Sequence, residues 1–357
     1  LGLAYFHGMN PSSPHGVNPV FPAAYSTLET TALAGLVSER YGLPHINCQF
    51  LLRGVGDTYL IESTDGPSAG RYILRAYRTS HRNGVQIRAE VELLLALKRA
   101  GVSVSYPIPD LNGEPVQIVQ TAEGLRHLVL FSYAPGRSVP VLSPRQLQSL
   151  GREMARFHNV SARFEPAGDR WRFDLETTLF GPLVQLEPYF SEDPVGYAWL
   201  VEAAKVAEKK LSGLDQSGFS SGYCQFDFLP KNFHFDGDSV TFFDFDFMGY
   251  GWLVNDIMTF WHHLEVEAAL GRMTREAADE AFALFLAAYH SNRPVSEQEL
   301  EAIPYLSLGF WLFYMSFHTT HDQFYPFIQP AQLKLRLGLI QQLMTENWSS
   351  PFPAPGV

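Results

Sequence analysis

The sequence predicts an α+β chain in two lobes, a small antiparallel β-sheet lobe followed by a larger helical lobe. Three observations carry that prediction. Short runs with period-two alternation crowd the first 133 residues, and runs with helical spacing of apolar residues fill most of the remaining chain. Between them, APGRSVP (134–140) breaks both textures, which divides the chain into 1–133 and 134–357.

The elements are taken in chain order. Residues 1–20, rich in Gly, Pro, Ser and Asn, read as an irregular leader, and Thr27–Tyr41 as a helix. NCQFLLR (47–53), DTYLIES (57–63) and RYILRAY (71–77) read as strands, with Asp65-Gly66 as a turn between the last two. Ile87–Ala100 is a helix with Ile87, Val91, Leu94 and Leu95 on one stripe and Gly101 as its stop. PVQIVQT (115–121) and HLVLFSY (127–133) complete five strands. Ser143-Pro144-Arg145-Gln146 is a capping box with proline at the first helical position, and Leu147, Leu150, Met154 and Phe157 share a face of the helix it opens. Further helices are expected over about 195–212, 255–270, 274–290, 297–320 and 331–346, the fourth opened by a second capping box, Ser296 and Glu299. A hairpin over 232–246, with Asp236-Gly237 at its tip, interrupts them. Ala302–Phe317 carries no charge, but it is shorter than the roughly 20 residues a membrane span needs. Pro304 and Gly309 also interrupt it, so it reads as a buried helix.

Composition excludes several classes. With 26 Lys plus Arg against 37 Asp plus Glu, the net charge is −11, which argues against nucleic-acid or polybasic membrane contacts. It favours cationic or metal-chelated partners. Hydrophobic residues make up 46% of the chain and aromatic ones 14%, enough for a large aromatic core. Two cysteines, Cys48 and Cys224, leave no disulfide framework or Cys-rich zinc module. A reducing compartment fits, and no basic segment followed by an apolar one opens the sequence, so a cytoplasmic protein is expected.

The segment 222–256 carries the chemistry. Asp227 is followed five residues later by Asn232, then by the hairpin, then by Asp244 in an Asp-Phe-Asp run. Phosphoryl transfer needs a carboxylate to take or orient the attacking hydroxyl's proton, and hard oxygen ligands for the ions that bridge the phosphates. The D-x-x-x-x-N spacing is that of a kinase catalytic loop. If the strand stays regular, Val240, Phe242, Asp244 and Asp246 share one face, and the hairpin returns Asp244 toward Asn232. Taken singly, each of these polar residues is also an ordinary turn former, as Asp236 and Asp238 are. Set among Phe226, Phe228, Phe243 and Phe245, the carboxylates need a metal or a donor partner.

With QFDFLPKN, FFDFD and VNDIMTF in this order, the chain from about residue 25 to 345 resembles the aminoglycoside phosphotransferase and choline kinase superfamily. Homoserine-kinase-like and stress-response-kinase-like members belong to the same group, and the resemblance implies a protein-kinase-like fold. It implies Asp227 as catalytic base, Asn232 and Asp244 as magnesium ligands, Asp256 as a brace for the loop, and Asp246 as an accessory acid. Gln225 and Phe226 stand where the family usually has His and Gly; Phe is ill suited to the φ values glycine permits.

In the small lobe, Gly54 and Gly56 lie between two strands, as a phosphate-covering loop requires, although Gly-x-Gly also makes a plain hairpin turn. Arg75 stands where the family carries a nucleotide-contacting Lys or Arg, and it shares a face with Ile73 and Tyr77. Glu90 lies on the apolar stripe of the next helix and is expected to pair with Arg75, with Glu92 as the alternative. The segment 127–136, including Phe131 and Tyr133, matches the hinge that offers main-chain groups to an adenine edge. His158 reads as a packed helix-end histidine, and the pairs His262-His263 and His318-His321 lack the further ligands of a zinc site.

The expected function is transfer of the γ-phosphoryl group of ATP, with Mg2+, to a hydroxyl of a small molecule such as an amino-alcohol, aminoglycoside or sugar. The acidic balance and the aromatic stretch 305–325 would suit a cationic acceptor. A protein Ser/Thr kinase and a pseudokinase-like nucleotide-binding module are the alternatives.

Overall fold

A computed structural model describes residues 21–66 and 68–348; the leader at 1–20 lies outside them. The small lobe opens with α1 (Thr30–Tyr41), capped by the Glu29 carboxylate and closed by Gly42 at φ +66°. It starts three residues later than the apolar spacing predicts. Five antiparallel strands follow: β1 (Ile46–Arg53), β2 (Asp57–Ser63), β3 (Gly70–Ala76), β4 (Gln117–Thr121) and β5 (Gly124–Ser132), in the order β1-β2-β3-β5-β4. Leu33, Val37 and Tyr41 of α1 bury against Tyr59, Ile61, Leu74, Ala76, Leu128 and Leu130, which closes one face of the sheet. Strand alternation then sends Ile73 and Arg75 to the opposite face, which borders a cleft. Between β3 and β4 lies α2 (Gly84–Arg99), opened by an Asn83–Gln86 capping box one turn before the apolar stripe begins.

In the large lobe, α3 (Pro144–Ser161) carries the expected Ser143–Gln146 capping box. It packs along α7 (Arg275–His290). Gly151 permits the approach, because a Cβ there would lie 2.2 Å from the Phe285 carbonyl oxygen. A π-helical turn (Glu176–Phe180) leads into α4 (Gly181–Leu186), followed by α5 (Pro194–Ser212) and α6 (Val254–Ala269). The Ser296–Glu299 box opens α8 (Glu297–Phe317), and α9 (Pro330–Asn347) ends the described chain. From Ala302 to Phe317 only Trp311 and Tyr314 are half-exposed; α8 is the buried axis against which α4, α5, α6 and α9 pack. Among the described residues, no helix is long and apolar enough to cross a membrane.

Two further features depart from the sequence expectation. β6 (Trp171–Phe173), β7 (Ser221–Cys224) and β10 (Gly249–Trp252) form a three-stranded sheet in the order β6-β10-β7. The hairpin, β8 (Phe233–Asp236) and β9 (Ser239–Phe242), stops four residues short of its expected end. Asp244 adopts φ +59°, which breaks the period-two row: Val240 and Phe242 enter the core, whereas Asp244 turns out of it. Both the new sheet and the broken strand serve one end, because β7 leads directly into Gln225–Asp227 and β10 follows Asp246.

Candidate active site

Between the lobes lies a cavity of about 440 Å3 that brings together Arg75, Glu90, Phe131, Tyr133, Asn232 and Asp244. Asp227 stands at its edge, 4% exposed, through contacts with two of its own neighbours. The Asn232 side-chain amide donates to the Asp227 backbone carbonyl at 2.8 Å and to Asp227 Oδ2 at 2.7 Å. The Lys231 ammonium reaches the same Oδ2 at 2.9 Å and donates to the Tyr314 hydroxyl at 2.8 Å. Burial pushes the Asp227 carboxyl up to about 6, with Lys231 pulling the other way.

The loop is braced from below. Asp256, at the start of α6, accepts the backbone N–H of Gln225 (2.9 Å) and of Phe226 (2.6 Å). His158 Nε2 lies 3.0 Å from Asp256 Oδ2, and its Nδ1 2.8 Å from the Tyr289 hydroxyl. His158 is fully buried and does not line the cavity, so it belongs to the scaffold; burial lowers its pKa against the opposing pull of Asp256. Gln225 donates to the Phe243 carbonyl at 2.7 Å and to that of Asp244 at 3.2 Å, tying the loop to the hairpin's exit. Phe226 adopts φ +63°, the left-handed conformation that its side chain disfavours. Its ring stacks on Phe173 at 3.7 Å between centroids and meets Phe313 edge-on at 5.2 Å. Aromatic packing therefore holds a conformation for which glycine is the usual residue.

Arg75 does not pair with Glu90. Its guanidinium bonds Asp244 Oδ1 at 2.9 Å and also Asp246 Oδ2. Burial works against the Arg75 charge, but Asp244 and Asp246 outweigh it and hold its pKa above the ordinary value. Glu90 instead accepts the Tyr77 hydroxyl at 3.2 Å and faces Arg170 at 3.6 Å, while burial pushes its carboxyl up against the pull of that arginine. Glu92 accepts the Ala167 N–H at 2.9 Å, away from the cleft. Sequence reasoning overlooked Arg170 and Arg82. The Arg170 guanidinium spans the carbonyls of Phe245 (3.0 Å), Asp246 (2.6 Å) and Met248 (2.9 Å), and Arg82 reaches the Asp246 carbonyl too. No local pattern marks either residue, since both act on backbone that arrives 75 or more positions later.

Gly54 and Gly56 do not themselves line the cavity. Gly54 donates to the Gly56 carbonyl at 2.9 Å, and a Cβ on Gly56 would come within 2.8 Å of the Ala76 carbonyl oxygen. Leu51, Leu52 and Thr58, which flank these glycines, line the cavity, and Gln323 from the large lobe donates to the Gly54 carbonyl. Phe131 and Tyr133 form the wall at the lobe junction, beside Ala134.

Among the described residues no three His, Cys, Asp or Glu side chains gather closely enough to hold a metal ion by themselves, but unpaired oxygens do lie at this loop. Asp227 Oδ1 and Asp246 Oδ1 are buried without a hydrogen-bond partner, and the Asn232 amide nitrogen is engaged by Asp227, which leaves its oxygen for a ligand. Two lobes with acidic oxygens and an arginine facing each other across a cleft define a kinase-type phosphotransferase. The chain belongs to the phosphotransferase enzyme family (APH), whose family model matches residues 48–301. It is an enzyme of the class that phosphorylates hydroxyl groups. An uncharacterized protein of Deinococcus radiodurans is 34% identical over 83% of this chain and 83% of its own. Amicoumacin kinase of Bacillus subtilis is 28% identical over 79% of this chain and 83% of its own. Among solved structures, an amicoumacin kinase in complex with AMP-PNP, Ca2+ and Ami superposes with a TM-score of 0.70 at 19% identity, covering 91% of this chain and 96% of that one. It shares the kinase-like fold.

Proposed function

We propose that the enzyme transfers the γ-phosphoryl group of ATP to the hydroxyl of a small molecule, with residues up to 133 serving the nucleotide and those from 134 onward supplying the loop and the acceptor site. The observation that carries the reading is the meeting of Asn232, Asp244 and Arg75 in one cavity, with Asp227 at its edge. Asn232 and Asp244 would hold Mg2+, which, when bound, neutralises charge on the phosphates. Asp227 accepts the acceptor's hydroxyl proton. The hydroxyl oxygen bonds to the γ-phosphorus as the bond to the β–γ bridging oxygen breaks, and ADP leaves with that electron pair. Arg75 keeps Asp244 and Asp246 in position from the sheet side. Phe131 and Tyr133 offer the wall against which an adenine would lie. In this reading the enzyme works in the cytoplasm, where ATP is made and its free thiols, Cys48 and Cys224, stay reduced.

ADP release with Mg-ATP and a panel of hydroxyl compounds tests this, in the wild type and in Asp227→Asn and Asp244→Ala. Loss of the general base is expected to lower kcat by about 10²–10⁴-fold. Wild-type turnover no faster than that of both variants with every acceptor would overturn the catalytic reading, and calorimetry with Mg-ATP would then show whether the chain only binds nucleotide.

A further inference from the structure

A second cavity, of about 350 Å3, opens on the far side of Lys231 and is lined by His262, Phe310, Trp311, Tyr314 and Arg336. Lys231 is the residue it shares with the cleft, and Lys231 lies 2.9 Å from Asp227 Oδ2. A hydroxyl compound seated here lies against Lys231, the side chain that also contacts the proton-accepting Asp227 and borders the cleft.

The charges facing this cavity are not those the acidic composition leads one to expect. The charge of Lys231 is matched by Asp227. Burial lowers the pKa of His262 and of His318 to about 3 and lowers that of His263, so all three are neutral near pH 7. Glu267, the acid beside His263, pairs with Arg272 at 2.8 Å. Arg336 is different. It is half-buried, with one guanidinium nitrogen 3.0 Å from His318 Nδ1 and the Phe327 ring 5.5 Å away, and among the described residues no carboxylate pairs with it. Burial lowers its pKa and no acid restores it. A partly desolvated guanidinium without a counter-ion is a receptor for an anion, and its planar fork fits a carboxylate.

We propose that this cavity is the acceptor site and that the acceptor is a hydroxy acid, whose carboxylate Arg336 receives while its apolar body lies against Phe310, Trp311 and Tyr314. The proposal rests on the phosphotransferase reading above. It selects a monoanion because one unmatched cation faces the cavity. A cationic amino-alcohol would meet Arg336 with no acid free to receive it.

Two matched series of alcohols test the proposal, built on 4-hydroxybutyrate and on 4-(hydroxymethyl)benzoate. In each, the carboxylate is replaced in turn by carboxamide, ammonium and phosphate. ADP release with Mg-ATP is measured for each member, and binding to the nucleotide-free enzyme is measured by calorimetry. The carboxylate is expected to be the best acceptor in at least one series, with kcat/KM about 10–100-fold above its carboxamide, the range for a charged hydrogen bond. Arg336→Gln should raise KM for the carboxylate by a similar factor, erase the preference and leave KM for ATP unchanged, which also shows that the variant folds. Arg336→Lys should keep part of the preference. A best acceptor bearing ammonium, carboxamide or phosphate in both series, or an unmoved KM in Arg336→Gln, overturns the hydroxy-acid proposal alone. Failure of every member to release ADP faster in the wild type than in Asp227→Asn overturns the phosphotransferase reading and this proposal with it.

Discussion

Arg75 on β3 and Asp244 beyond β9 meet at 2.9 Å across 169 residues of sequence, and the same guanidinium also bonds Asp246. One side chain thus ties the small lobe's sheet to the exit of the large lobe's hairpin. Asp246 is buried, whereas the Asp244 side chain is 38% exposed, so most of the energetic dependence on Arg75 falls on Asp246.

Arg75→Met is therefore expected to destabilise the fold by about 3 kcal/mol, the low end for stranding a buried charge. Urea denaturation reads it. Removing the competing cation also frees Asp244, so added Mg2+ should raise the thermal midpoint of Arg75→Met more than that of the wild type. An unchanged urea midpoint would remove Arg75 from this role.

The raised pKa of Asp227 fixes a pH dependence. Its carboxyl ordinarily titrates near 3.8 and is pushed to about 6 here, so the ionised, proton-accepting form is lost below about 6. The kcat/KM should fall about tenfold per pH unit on the acid side and level off above it. For folding the sign is opposite to that of a salt-bridged acid. The fold carries no penalty from this group below about 3.8, acquires it as pH rises to about 6, and keeps it above. Lys231 holds the pKa down, so Lys231→Met should move the acid limb to higher pH. A limb that stays put or moves down would show that the ion pair does not govern the base.

Much of this was legible in the sequence, and the misses have physical causes. The five strands of the small lobe and the long helices announce themselves because each repeats its period often enough to be seen. β6 and β10 do not, having three and four residues, and Gly249 is required there because a Cβ would strike the Phe173 ring at 2.6 Å. Asp227, Asn232 and Asp244 were marked by spacing. Their geometry depends on partners that spacing cannot reveal: Arg170 and Arg82 hold the carbonyl of Asp246, and Arg75 prefers two aspartates to Glu90. Helix periodicity placed Glu90 on the inner face correctly, but it carries no information about which arginine arrives opposite.

Phe226→Gly sets two effects against each other. Glycine would relieve the left-handed backbone, worth about 1–2 kcal/mol. It would also remove a fully buried ring stacked on Phe173, and large-to-small changes of that kind cost about 3–5 kcal/mol. Packing should win, leaving Phe226→Gly about 2 kcal/mol less stable than the wild type by denaturant unfolding. A more stable variant would mean that backbone strain dominates at this position.

Asp256→Asn separates the loop's geometry from its chemistry. The Asp256 carboxylate accepts from two backbone N–H groups and faces His158, with every partner buried. An asparagine of the same shape has a single acceptor oxygen, so its NH2 must face one of those donors. Losing a charged hydrogen bond costs about 1.5–3 kcal/mol, and the cost falls on Gln225 and Phe226, immediately before the proton-accepting Asp227. Asp256 touches neither cavity, so KM for ATP should hold while kcat falls as Asp227 loses its fixed position. Equal losses in kcat and in ATP affinity would instead mean that the loop and the nucleotide cleft collapse together. In that case Asp256 would be a support of the whole interlobe region and not a brace of the loop alone.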